Sequence, residues 1–154
     1  MKAFLIVLAL AASTGFCESQ LAPNTPEDKP GSLTYEQVGA FERAIAPYVA
    51  KARATYPEAK KRFLAGLSAK QKFLLATRLR DKDGKWEQAF ITVERIKDDK
   101  ITGTISSDLI GVKEFKRGQK YTFPESDILD WLITKPDGTE EGNFVGKFLG
   151  TYKP

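Results

Sequence analysis

The chain reads as an α+β domain, with N-terminal helices packed on a curved antiparallel sheet of about five strands that is either open or rolled into a small open barrel. Three observations predict this. Apolar residues recur at helical spacing up to about residue 66 and then alternate with period two from Lys72 onward. Short turn signals, Asp81-Lys82-Asp83-Gly84, Asp98-Asp99 and Pro136-Asp137-Gly138, join the alternating runs. The helical patterns all precede these alternating runs, apart from an ambiguous C-terminal tail.

Each element follows from local chemistry. Thr34-Tyr35-Glu36-Gln37 fits a capping box, with the Thr34 hydroxyl on the N3 amide and Gln37 reaching back. Val38, Phe41, Ile45, Val49 and Ala52 then form one apolar stripe. Pro47 removes a backbone donor, so a kink or restart is expected there. Thr55-Tyr56-Pro57-Glu58 looks like a second capping box, opening a short helix that carries Phe63 and ends near Gly66. Lys72 to Arg80 and Trp86 to Ile96 are the arms of a hairpin. Ala89, Ile91 and Val93 share one face of it, and Trp86 and Phe90 the other. Coverage of that second face is expected from the Phe41-Ile45-Val49 stripe. Ile101 to Ser106 is a third strand, curved at Gly103. A loop at residues 108–119 leads to a strand at Lys120 to Phe123, which Pro124 ends. Ile128 to Thr134 is nearly all apolar, as a strand covered on both faces would be. Gly142 to Tyr152 fits either a strand or a short helix.

Ahead of the domain, Met1-Lys2, an apolar run from Ala3 to Ala12 and small residues at Ser13 to Gly15 follow the order of a secretory signal peptide. The run is about half the ~20 residues a membrane crossing needs. Residues 1–19 are assigned to the leader, 20–33 (three prolines, almost nothing apolar) to a flexible linker, and 34–154 to a single domain. The expected location is therefore periplasmic or secreted. Cys17, the only cysteine, raises the alternative of a lipid anchor, but Phe16 occupies the position where a lipobox wants a small residue.

The composition excludes several chemistries. There is no histidine, which removes Ser-His-Asp and Cys-His catalysis and the commonest zinc ligand. One cysteine allows no internal disulfide. A net charge of +4 with 20 acidic residues does not mark a nucleic-acid binder. No cofactor or metal is expected.

A long string in the second half carries a family likeness. It comprises Trp86, Ala89-Phe90-Ile91-Thr92-Val93, Ile101-Thr102-Gly103-Thr104, Val112-Lys113, Phe115-Lys116-Arg117-Gly118-Gln119, Phe123-Pro124, Ser126-Asp127-Ile128 and Asp130-Trp131. With Ala52-Arg53-Ala54-Thr55 and Pro57 as its lead-in, this resembles the YegJ-like family of bacterial proteins, a domain of unknown function numbered 2314, over Ala44 to Tyr152. The resemblance implies a bacterial domain without an established activity, sometimes joined to other modules, and no catalytic residue to carry over. Many members have Asn-Asp or Asn-Pro after the third strand, where this chain has Ser107-Asp108.

Three places merit a functional reading. Asp81-Lys82-Asp83-Gly84 lacks the further oxygen ligands of a calcium loop, so it reads as a hairpin turn. Lys113, Lys116, Arg117 and Lys120 form a basic loop, with Trp131 expected nearby. It suits an anionic ligand or an acidic envelope protein unless the following acidic stretch neutralises it. Glu125, Asp127 and Asp130 form a carboxylate cluster that would serve acid/base hydrolysis of an envelope polymer if two of them shared a concave site. The leading expectation is a non-enzymatic binding or structural module of the cell envelope. The alternatives are that hydrolase and an immunity-type protein that blocks a toxin.

Overall fold

The computed structural model describes residues 35–152, with side chains from residue 38 onward. The leader, Cys17, the linker and Thr34 lie outside the described residues, as does the Gln37 side chain that would complete the capping box. The order is α1 (Tyr35–Ala65), β1 (Lys72–Arg80), β2 (Trp86–Lys97), β3 (Lys100–Ile105), β4 (Lys120–Pro124), a 3-10 turn (Glu125–Asp127), β5 (Asp130–Thr134), β6 (Glu140–Gly142) and α2 (Phe144–Leu149). The expected α+β class holds. The sheet has six antiparallel strands in the order β4-β3-β2-β1-β5-β6 and stays open, so the barrel alternative is set aside.

The helical region corrects the sequence reading. Instead of two helices there is one of 31 residues, with Pro47 and Pro57 inside it. Both prolines are exposed, so the carbonyls they leave unbonded one turn earlier face water rather than the core. Thr55 does not start a helix. Its hydroxyl donates back to the carbonyls of Lys51 (3.0 Å) and Ala52 (3.2 Å) and accepts the indole N–H of Trp131 (2.9 Å). That indole bond ties mid-helix to the sheet.

Alternation along β1 and β2 sorts the core into two faces. On one, Phe73, Leu75 and Leu79 join Ala89, Ile91 and Val93 beneath Ala52, Tyr56, Ala59 and Phe63 of α1. On the other, Leu74, Ala76, Phe90, Leu129 and Leu132 cluster, and Val49 packs against them. Phe90 is thus buried at 2 % exposure, as the stripe argument expected through Val49, while Trp86 is half-buried under the Arg78 guanidinium, 4.8 Å from its ring. The main contact of α1 with the sheet is with the Ala89 face, through Ala52, Tyr56, Ala59 and Phe63, about one to four turns beyond Val49.

Curvature enters at one rung. Val93 pairs with Gly103 and Arg95 with Thr102, so Glu94 is the extra residue of a bulge. A Cβ at Gly103 would sit 2.1 Å from the Thr92 carbonyl oxygen, so only glycine lets these strands approach. The tail takes the short-helix alternative: β6 pairs with β5 only as far as Gly142, and the chain then turns at Asn143, in the left-handed region, into α2. Phe148 of α2 stacks on Tyr48 of α1 at 4.4 Å.

Candidate functional site

The β1–β2 hairpin and the long loop after β3 meet at one end of the sheet. Asp81 tightens the hairpin by accepting the amides of Asp83 (3.1 Å) and Lys85 (3.0 Å) on one carboxylate oxygen. This is the turn the sequence suggested, and among the described residues no group of acidic, cysteine or histidine side chains is placed to hold a metal ion. Glu114 of the loop accepts the Lys82 amide at 3.2 Å, joining the two segments.

The loop itself is fixed by Glu87, a residue the sequence did not single out. Glu87 is only 5 % exposed. Its carboxylate accepts the amides of Ile110 (3.1 Å), Gly111 (2.7 Å) and Val112 (3.2 Å). Three successive N–H groups make a concavity suited to an anion, and here the chain's own carboxylate fills it. Val112 is buried in the core, and Ser107 is buried and accepts the Phe90 amide at 2.8 Å. Between these anchors Ile110 stands 75 % exposed.

The four basic residues divide into two pairs. Arg117 is bonded to Asp108 (3.1 Å), and Lys120 to Glu94. Lys120, then the Thr104 hydroxyl, holds the Glu94 carboxyl below its ordinary range. Lys113 and Lys116 are exposed, and among the described residues neither has a carboxylate in ion-pair reach. The acidic stretch does not neutralise this loop: Glu125 pairs with Lys60 (2.6 Å), and Glu141 with Arg62 (2.6 Å) and Lys135 (2.8 Å).

Trp131 does not belong to this surface. It lies on β5, three strands from β3 and four from β4 in the sheet order. Alternation turns it inward against α1. The carboxylate cluster also separates. Glu125 is held by Lys60 near Tyr56, whose hydroxyl burial and then Glu125 keep protonated well above the usual phenol range. Asp127 is exposed, taking a 3.1 Å bond from the Ser126 hydroxyl. Asp130 is fully buried and accepts the amides of Trp131 (2.8 Å) and Val145 (2.6 Å), capping α2 from a neighbouring strand. The three carboxylates serve three separate local tasks, so the arrangement gives no support to a shared acid/base site.

Together these features define an α+β domain with a basic, apolar-tipped loop anchored by hydrogen bonds at the end of an open sheet. The chain matches the family model described as "Uncharacterized protein conserved in bacteria (DUF2314)" over residues 38–150 and belongs to that family. No curated protein and no solved structure matches it. No helix among the described residues is long and apolar enough to cross a membrane.

Proposed function

We propose that this chain is an exported, non-enzymatic binding module of the bacterial cell envelope that engages an acidic partner through the loop at residues 108–119. The observation that carries the reading is the Glu87-held loop, which presents Ile110 and two lysines without carboxylates of their own. Burying one Ile side chain contributes about 2 kcal/mol, enough to anchor a contact that the lysines orient.

The double variant Lys113→Glu/Lys116→Glu is expected to weaken capture of envelope partners at least about tenfold, with the wild-type interaction fading as salt rises. Cross-linking in envelope extracts reads the effect, and circular dichroism checks that the fold is kept. Unchanged capture by the folded variant would remove this surface. Export rests on the leader pattern, and the intact mass of the mature protein tests it. Loss of residues up to about Cys17 or Ser19 is expected. A retained leader would place the chain elsewhere, and a diacylglycerol increment on Cys17 would make it membrane-tethered.

A further inference from the structure

Beside the first half of α1 runs a groove of about 430 Å³, within the usual range of small-molecule sites. Glu42, Ile45, Val49 and Arg53 form its helical wall, and Arg78 and Leu129 face them. Arg78 gives one terminal nitrogen to both oxygens of Glu42, at 2.5 and 2.6 Å, but its Nε is buried with no partner. Arg53 donates to the carbonyls of Ile128 (2.8 Å) and Ser126 (3.0 Å), both neutral. Among the described residues no carboxylate lies in ion-pair reach of Arg53. Two guanidinium groups against one carboxylate leave one uncompensated positive charge above an apolar wall.

We infer that this groove binds a small monocarboxylate with a short apolar tail. The carboxylate meets the terminal N–H groups that Arg53 and Arg78 do not give to the Ile128, Ser126 and Glu42 oxygens, as charge-assisted hydrogen bonds. The tail lies along Ile45, Val49 and Leu129. Glu42 selects for a single negative charge, because a phosphate dianion in the same space would be repelled by it.

The test is an NMR titration of the full chain with hexanoate, 1-hexanol and hexyl phosphate. Hexanoate is expected to shift the methyl signals of Ile45, Val49 and Leu129 to saturation, with the other two at least about tenfold weaker. Ala50→Leu, at an exposed helical position lining the groove, fills it without touching the charges and should weaken hexanoate by about tenfold. Arg53→Gln, which keeps donors for the carbonyls but drops the charge, should give a similar loss. Absence of saturable hexanoate shifts, hexanol or hexyl phosphate binding as tightly, or full hexanoate binding by folded Ala50→Leu would each overturn the assignment.

Discussion

Replacing Glu87 with alanine should lower the unfolding free energy by about 3 kcal/mol and release the loop it holds. The carboxylate is a single acceptor hub for three backbone amides, 23 to 25 residues away in the chain. Water can replace it at Ile110 and Gly111, which are exposed, but Val112 is buried and its amide would stand unpaired. Glu87→Gln keeps the shape and one acceptor oxygen, so about half of the loss is expected. Urea unfolding measures the stability, and hydrogen exchange at residues 110–112 measures the loop. Protection unchanged at those three amides in Glu87→Ala would show that something else orders the segment. Because the proposed contact surface is this loop, partner capture should fall in Glu87→Ala even though no contact residue is altered.

Asp130 gives the second large effect, and it is linked to pH. Burial pushes its carboxyl up to about 6, and the amides of Val145, Trp131, Phe144 and Gly146 only partly offset this. The folded state therefore holds the proton more tightly than the unfolded chain. The resulting stabilisation is complete below about pH 4 and is lost as pH rises through about 6, a loss of roughly 3 kcal/mol. Glu141 runs the other way: hydrogen bonds from Arg62 and Lys135 draw its carboxyl down to about 2, so its contribution vanishes only as pH falls toward that value. Between pH 4.5 and 7 the Asp130 effect stands apart from it. Asp130→Asn should flatten this slope, and Asp130→Ala should cost about 2–4 kcal/mol at pH 5 by orphaning two buried amides. Denaturant titrations at pH 4.5 and 7 decide the matter. Parallel pH profiles for wild type and Asp130→Asn would refute the linkage.

The sequence made the sheet legible because its information is local. Period-two alternation from Phe73 to Leu79 and from Ala89 to Val93 sets which side chains share a face, and Asp81 to Gly84 sets the hairpin register. The helix was misread where a local motif competed with tertiary packing. Thr55-Tyr56-Pro57-Glu58 has the form of a start signal, yet Tyr56 and Ala59 bury against the sheet and the proline falls on the wet side, so the helix runs on. Of the candidate surface, Lys113 and Lys116 were legible as exposed basic residues. The grouping of Trp131 with them was not, since neighbours along the chain on either side of β4 end up at distant strands. Glu87 left no trace because its partners are backbone amides, which every residue type supplies. Asp130 was visible as a carboxylate but not as a cap, because the helix it caps begins fourteen residues later, at Phe144.

The position of β1 carries a consequence for how the molecule assembles. It bonds on one side to β2, its immediate successor, and on the other to β5, whose Trp131 pairs with Leu75. The meander from β1 to β4 can therefore form from near neighbours, whereas β5, β6 and α2 must wait for a long loop to close. Until they arrive, the outer edge of β1 is unpaired, and Leu74 and Leu75 border an open backbone rim on both faces. A nascent chain halted before Asp130 would offer that rim to any other strand. The segment from β5 to α2 thus acts as the domain's own guard against misassembly.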